Sequence, residues 1–199
     1  VRGWHEALNR YGTMSFKDVL QPAIGVATKG FPVTEIFSHL TTENETKFRR
    51  FASTSALYLK DGKALPVGHV IRNPGMAKAY REIAANGYKA FYHGTMARAI
   101  VDAVNKPPVA TGVKVRGGSM TMADLANYES RIRQPVRTAY RGYEIYGMPL
   151  PSSGGIAVGE ALNILEGYDL KSMPRAGAEH LYLEASRLSF ADRNAYAGD

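Results

Sequence analysis

The sequence contains no cysteine, and this absence excludes several classes of protein. Without a thiol there is no disulfide scaffold, no thiolate zinc site and no cysteine nucleophile. Long apolar runs are also absent, because no stretch approaches the roughly 18 consecutive apolar residues of a membrane-spanning helix. The chain opens with Val1-Arg2-Gly3-Trp4, without an initiator Met or an apolar leader, so we expect it to be a segment of a longer protein.

The composition that remains is that of a folded globular chain. Of the 199 residues, 45% are hydrophobic and 22% are charged, which argues against disorder. The length fits one domain or part of a larger one. We therefore expect residues 1–199 to form a partial domain whose remainder lies elsewhere in the parent protein.

The formal net charge is +7, from 25 Lys and Arg against 18 Asp and Glu. Such an excess permits binding to nucleic acid or to an anionic surface. Along the sequence, however, the basic residues are dispersed, and the densest groups are residues 47–50 and 131–133. Neither group is a run of five or more like charges, so the sequence favours a solvated surface over a nucleic-acid site.

Apolar residues at helical spacing, together with end signals, predict a mostly helical chain. Four residues precede such segments and are the predicted N-caps: Ser15, Thr34, Asn73 and Thr121. Pro22 lies inside the segment behind Ser15, which predicts a kink or a restart there. The segment behind Thr34 is predicted to run as far as Phe51. The residues predicted to face inward behind Asn73 are Met76, Tyr80, Ile83 and Ala84.

Two hairpins and one long loop complete the predicted elements. Asp61-Gly62 predicts a tight turn after an extended segment at residues 57–59, and Arg141-Gly142 divides two strands within residues 131–146. Residues 106–119 are rich in Pro and Gly and predict a flexible loop or insertion. Because isolated hairpins cannot hold a sheet alone, we expect the rest of the parent protein to supply the main sheet. The predicted fold class is α+β.

Several motifs that carry chemistry in other proteins are incomplete in this sequence. Residues 112–119 resemble a phosphate-binding loop, but Gly118 occupies the position of the required Lys. The histidines do not form a helical metal pair, so the sequence predicts no metal site. The last predicted helix ends with neighbouring acidic and basic residues in the segment Ala191-Asp192-Arg193-Asn194, which is typical of a salt bridge or of a helix C-cap.

Ser152-Ser153-Gly154-Gly155 is the stretch most typical of an enzyme. Serines at a turn into a helix lie near free backbone amides, which can hold an anion. The Gly that precedes the Ser in a nucleophile elbow is absent. The structural alternative is a Ser N-cap, with Gly packed closely against the preceding strand, and the residues alone favour the cap.

Taken together, nine blocks in order and spacing resemble the gamma-glutamyltransferase (gamma-glutamyltranspeptidase) family. The Pro151-Ser152-Ser153-Gly154-Gly155 and Ala191-Asp192-Arg193 blocks make the resemblance specific. The blocks are residues 11–16, 21–24, 30–33, 91–94, 118–128, 140–143, 148–155, 162–166 and 191–199. They cover nearly the whole chain.

The resemblance implies an N-terminal-nucleophile hydrolase with a four-layer αββα fold. In this family a precursor cleaves itself into a large and a small subunit. The new N-terminal Thr of the small subunit attacks the γ-glutamyl amide of glutathione, with its own α-amino group as base, and water or an acceptor amine then takes the acyl group. This chain resembles part of the large subunit, so the Thr lies outside it.

No catalytic residue carries over by position. In the family, an Arg within an Asp-x-Arg-Glu-x-Ala-Pro segment binds the α-carboxylate of the substrate. Residues 81–85 resemble this segment superficially, but they lack its Pro and lie within a predicted helix, so they do not take that role. The family's tandem substrate-binding serines and its oxyanion-hole glycines belong to the small subunit. Ser152, Ser153, Gly154 and Gly155 therefore remain only structural candidates near the active-site side.

The resemblance further implies the small subunit as partner, a small γ-glutamyl substrate for the parent enzyme, no cofactor, and a periplasmic or secreted location. Exposed helix faces make a dimer of the isolated chain plausible. Two alternatives stay open. One is a related acylase that acts on cephalosporin or glutaryl side chains, and the other is a non-enzymatic basic binding module.

Overall fold

The computed structural model describes residues 1–198. The chain divides into two compact units, Val1–Ser130 (unit 1) and Arg131–Asp199 (unit 2). Unit 1 is mostly helical with short strand pairs, and unit 2 contains one hairpin and two long helices. The predicted class, a mostly helical α+β chain, is confirmed.

Unit 1 consists of short helices, two short strand pairs and a long loop that joins its last two helices. Its helices are α1 (Arg2–Tyr11), α2 (Phe16–Lys29), α3 (Glu35–Phe48), α4 (Ala52–Tyr58), α5 (Pro74–Asn86), α6 (Lys89–Tyr92), α7 (Gly94–Asn105) and α8 (Met122–Ala126). Its strands are β1 (Phe31–Pro32), β2 (Leu59–Lys60), β3 (Lys63–Ala64) and β4 (Val70–Ile71). Antiparallel pairs form between β1 and β4 and between β2 and β3.

The four predicted N-caps are confirmed by their hydrogen bonds. Each side-chain oxygen accepts the backbone N–H three residues later, which satisfies an amide that the helix itself leaves unpaired. The bonds are Asp18 N–H to Ser15, Phe37 N–H to Thr34, Met76 N–H to Asn73 and Asp124 N–H to Thr121. Asp124 also accepts the Thr121 N–H at 2.7 Å and so completes a capping box.

The predicted restart at Pro22 is wrong, because α2 continues through it to Lys29, while the alternative of a kink stays a prediction. Pro22 is solvent-exposed, and so is Asp18, whose carbonyl loses its helical partner. Water can satisfy that carbonyl. On the opposite side of the helix, Leu20 and Ile24 are buried against Ile83 of α5, and this packing holds the helix in one piece.

The helix predicted from Thr34 to Phe51 ends before Phe51. α3 stops at Phe48, and Phe51 instead becomes the N-cap residue of α4, which the sequence did not predict. The cause is tertiary, because the backbone on either side of Phe51 is hydrogen-bonded to residues 108–110. Phe51 itself forms an isolated antiparallel bridge with Val109.

The core of unit 1 consists of two clusters. Leu20, Ile24 and Ile83 form one, and Val33, Leu65 and Ile71 form the other. The prediction that Met76 faces inward is wrong. Its side chain is 44% exposed, because it lies in the first turn of α5 at the rim of a groove shared with Val26 and Phe31.

The turn between β2 and β3 has the predicted geometry. Asp61 and Gly62 have φ of 51° and 74°, the left-handed values that a two-residue hairpin turn of this type requires. The strand before it is shorter than predicted, because residues 57 and 58 belong to α4. The β1–β4 pair, which joins segments far apart in sequence, was not predicted.

Unit 2 contains β5 (Val136–Tyr140), β6 (Tyr143–Gly147), α9 (Gly154–Glu166) and α10 (Arg175–Tyr196). The predicted hairpin is confirmed, with Arg141 and Gly142 at positive φ in its turn. Strand pairing begins at Val136 and not at residue 131. Pro135 has no N–H to donate, so it delays the start of the ladder.

The hairpin of unit 2 packs against α9, and α9 packs against α10. The Thr138 hydroxyl donates to Asn163 at 2.9 Å, and the Arg141 N–H donates to the Glu166 carboxylate at 3.0 Å. Ala185 of α10 is fully buried, and the buried Ser189 hydroxyl donates across to the Ala157 carbonyl of α9 at 2.6 Å. Small residues at this contact let the helix backbones approach closely.

Candidate functional site

The candidate site lies in the turn at residues 148–153, which connects β6 to α9. Gly155 comes so close to the strand that a Cβ there would lie 2.4 Å from the Met148 carbonyl oxygen. A Cβ on Gly147 would lie 2.5 Å from the Gly155 Cα. Only glycine fits at both positions. The predicted close packing of Gly against the preceding strand is therefore confirmed.

Ser153 occupies the N-cap position of α9, but its hydroxyl does not cap the helix. Its backbone is helical, with φ −81° and ψ −9°, and its side chain accepts no bond from the first turn. The predicted Ser cap is therefore wrong, because the Ser153 hydroxyl accepts no hydrogen bond from a backbone amide of α9. Instead the hydroxyl accepts the Nε–H of Arg193, from the last turn of α10, at 2.7 Å.

Arg193 is held in place by two further contacts. Its Nη1 donates to the Asn194 side chain at 2.8 Å, and its guanidinium lies 5.5 Å from the centre of the Phe190 ring. The sequence predicted that Arg193 pairs with a neighbour or caps the helix. The structure adds the bond to Ser153, 40 residues earlier, for which the sequence carries no local signal.

A second polar feature of unit 2 is a pair of carboxyl groups, Glu160 on α9 and Asp192 on α10. Burial raises the pKa of Glu160 above its ordinary value. Repulsion from Asp192, and the hydrogen bond that a protonated Glu160 donates to it, raise the pKa further. The sequence pattern around Glu160 did not predict this pair.

The chemistry open to these groups is limited. Arg193 cannot accept a proton, so it cannot activate the Ser153 hydroxyl as a nucleophile. Ser152 is exposed, and its hydroxyl has no hydrogen-bond partner among residues 1–198. Within that part of the chain, the turn does not combine a nucleophile with a base. The contact between Ser153 and Arg193 is suited to fixing the turn against α10.

The other motifs are distributed through unit 1. Two glycines of the phosphate-loop-like stretch, Gly117 and Gly118, pack on the end of α7, where a Cβ on Gly117 would lie 2.1 Å from the Asn105 carbonyl oxygen. His5 stacks on Tyr88 with ring centres 4.2 Å apart. No group of three or more His, Asp and Glu side chains in residues 1–198 is arranged to hold a metal ion. Within the same range, no helix is both long and apolar enough to cross a membrane.

Comparison with known proteins places these features in a family. The family model described as gamma-glutamyltranspeptidase matches residues 1–199. The chain is 41% identical over 201 residues to the acylase ACY 1 proenzyme of Pseudomonas sp. (strain SE83). It is 37% identical over 202 residues to the glutathione hydrolase proenzyme of Escherichia coli (strain K12). Both matches cover 100% of this chain, which spans about a third of the length of these relatives (34% and 33%).

The solved structure of Helicobacter pylori gamma-glutamyltranspeptidase superposes with a TM-score of 0.88 at 31% identity. The match covers 99% of this chain and 55% of that one. Fold and sequence therefore agree along the whole length of the chain. The chain belongs to the gamma-glutamyltranspeptidase family.

Proposed function

We propose that this chain is a large-subunit segment of an enzyme that cleaves γ-glutamyl amides such as glutathione and transfers the acyl group to water or to an amino acid or peptide. The family match across residues 1–199 is the observation that carries the proposal. The two curated relatives are both proenzymes. In the proposed reaction the nucleophile is a Thr outside this chain, released at the N-terminus of the small subunit when the precursor is cleaved.

The role of the segment itself is structural in this proposal. Its helices cover one face of a sheet that the rest of the parent protein supplies, as in the four-layer αββα arrangement. Two observations support this role. The strands of the described residues form only two-stranded pairs, and apolar side chains such as Leu183 and Phe190 on α10 are 63% and 55% exposed. Such faces need a further layer to cover them.

The first experiment compares the full-length protein with the purified 199-residue chain. We expect the full-length protein to hydrolyse a γ-glutamyl anilide and to separate into two chains under denaturing conditions, the smaller one beginning with Thr. The 199-residue chain is expected to give a single mass near 21.7 kDa and no turnover. Turnover by the short chain alone would contradict the proposal, because it would locate the nucleophile inside residues 1–199.

The candidate turn can be tested in the same assay. Ser152→Ala is expected to leave kcat and KM of the full-length protein within about twofold, since this exposed hydroxyl lacks a base. A drop in kcat of a hundredfold or more with unchanged KM and unchanged unfolding temperature would assign Ser152 to the catalytic machinery. Ser153→Ala is the companion variant. If both variants keep normal kinetics, the turn has only a structural role.

A second candidate function is that of an acylase that removes glutaryl or cephalosporin side chains. It is favoured by one observation, the 41% identity to the acylase proenzyme, which exceeds the 37% identity to the glutathione hydrolase proenzyme. The two substrates differ in the α-amino group that γ-glutamyl compounds carry and glutaryl compounds lack. The ratio of kcat/KM on a γ-glutamyl anilide to that on a glutaryl amide therefore separates the two functions.

Location and assembly complete the proposal. We propose that the parent protein is periplasmic or secreted, which fractionation of cells that express the full-length gene tests directly. Residues 106–119 are proposed to be a variable insertion of this domain. The exposed apolar side chains of α9 and α10 support dimerisation of the isolated chain. Light scattering across a range of concentrations measures that association.

A further inference from the structure

The net positive charge of this protein lies in unit 1. Residues 131–199 carry eight Lys or Arg and eight Asp or Glu, so the whole formal surplus of +7 lies in residues 1–130. The basic residues there are scattered along the sequence. The fold brings six of them to one end of the unit, on three separate segments. We call this set the basic patch: Lys47, Arg49, Arg50, Lys60, Lys63 and Lys114.

Specific contacts hold these segments together. Arg49, just after α3, donates from Nη1 to the Gly62 carbonyl in the β2–β3 turn at 2.9 Å. Arg50 donates to the Lys114 carbonyl at 3.4 Å, and its own carbonyl accepts the Ala110 N–H at 2.9 Å. The hairpin and the loop at residues 106–119 are thereby both tied to the end of α3. All six basic residues of the patch are exposed.

Few negative charges neutralise the patch. Glu45 lies beneath it, only 8% exposed, and forms ion pairs with Lys63 at 3.5 Å and with Arg49 at 3.7 Å. The Ala64 N–H donates to the same carboxylate at 2.9 Å. The other acidic residue of the hairpin is Asp61. On α3, Glu43 pairs with His39 at 3.4 Å. Six cations against the three carboxylates of Glu43, Glu45 and Asp61 leave a positive field at this end of the unit.

We propose that the basic patch docks on the anionic headgroups of a membrane surface. Four of its six cations are lysines, whose ammonium groups act as point charges toward many phosphates at once. The tertiary contacts fix the segments in advance, so docking orders little of the backbone. The large exposed aromatic side chains of the described residues, such as Trp4, Tyr11 and Tyr128, lie outside the patch. Proteins that bind single-stranded nucleic acid generally combine a basic groove with such rings for base stacking, so we assign the surface to lipid phosphates.

The test uses the full-length protein and vesicles of phosphatidylcholine with or without phosphatidylglycerol. We expect binding only to the vesicles that contain phosphatidylglycerol, and we expect it to weaken as salt is raised. The triple variant Lys47→Gln, Lys60→Gln, Lys114→Gln removes three cations that lack ion pairs to Glu45. Each cation near an anionic surface raises the partition coefficient about fivefold, so the partition coefficient of this variant is expected to fall about 100-fold.

A matched control separates the patch from net charge. The triple variant Lys17→Gln, Lys78→Gln, Lys171→Gln removes the same three charges from exposed positions elsewhere. It is expected to change binding by no more than about threefold. A version of the patch variant with Arg in place of Gln keeps the charges and is expected to bind normally. Unfolding temperatures are recorded for every variant.

Three results would overturn the proposal. The first is failure of the unaltered protein to bind phosphatidylglycerol vesicles at low salt. The second is an equal loss of binding in the patch variant and in the control variant. The third is retention of an oligonucleotide by the patch when the vesicles are not bound, which would identify the partner as a nucleic acid.

Discussion

Gly155→Ala is the substitution whose effect the structure defines most closely. Gly155 is the second residue of α9, and its φ does not require glycine. From helix propensity alone, Ala would stabilise the helix by about 1 kcal/mol. The added Cβ, however, would lie 2.4 Å from the Met148 carbonyl oxygen and 2.9 Å from the Gly147 carbonyl carbon. Both are backbone atoms, so relief requires the end of β6 to move away from the helix.

The clash outweighs the gain in helix propensity. Overpacking of this kind costs about 1–3 kcal/mol or more, so we expect a net loss of about 2 kcal/mol in the free energy of unfolding. Relatives of this chain are about three times as long as it is, and for a full-length protein of that size the loss lowers the midpoint of thermal unfolding by about 1–3 °C. Thermal unfolding of the full-length protein, followed by circular dichroism, measures the change.

Gly154→Ala is the matched control. The nearest atom to a Cβ at that position is the Ser152 hydroxyl oxygen, at 3.9 Å, so the space is open. This variant is expected to unfold at the temperature of the unaltered protein or slightly above it. If Gly155→Ala is as stable as Gly154→Ala, the close contact between strand and helix does not constrain this position and the reasoning is refuted.

Three further substitutions test other contacts. Ser189→Ala removes the buried 2.6 Å hydrogen bond from this hydroxyl to the Ala157 carbonyl, and it is expected to lower the free energy of unfolding by about 1 kcal/mol. Ser186→Ala is the control, because it removes an exposed hydrogen bond within the same helix and is expected to leave the melting temperature unchanged. Thr121→Ala removes an N-cap and is expected to cost about 1 kcal/mol; an unchanged melting temperature would rule out a stabilising cap. Glu160→Gln tests the carboxyl pair by its pH dependence. Because the pKa of Glu160 is raised in the folded state, folding takes up a proton between pH 4.5 and that higher value, and stability falls as pH rises through this window. The variant is therefore expected to be more stable than the unaltered protein at neutral pH, with a difference that disappears below pH 4.5; a constant difference across pH would exclude a role for the proton.

The parts of this protein that could be predicted from sequence are those determined within a few residues. Ser15, Thr34, Asn73 and Thr121 each cap a helix through a backbone amide three positions away, so the residue type and the spacing contain the whole interaction. The Asp61-Gly62 turn is equally local, because its positive φ values depend only on the types of these two adjacent residues. The family resemblance depends on the same kind of information, residue types in fixed order.

The features that were predicted wrongly or missed depend on contacts between distant segments. Pro22 predicts a kink or a restart, but α2, which packs on α5, continues through it without a restart. The apolar spacing predicts that α3 extends to Phe51, but backbone hydrogen bonds between the residues beside Phe51 and residues 108–110 end the helix earlier. In each case the tertiary contact stabilises a backbone conformation that local propensity alone disfavours.

The candidate site and the basic patch show the same division. Residue types alone identified residues 152–155 as a turn into a helix, because Ser and Gly have local conformational preferences. Only the fold decided that Ser153 accepts a hydrogen bond from Arg193, and only the fold gathered Lys47, Lys60 and Lys114 at one end of unit 1. Hydrogen bonds and electrostatic fields depend on distance in space, and distance in space between remote residues is fixed by packing rather than by position along the chain.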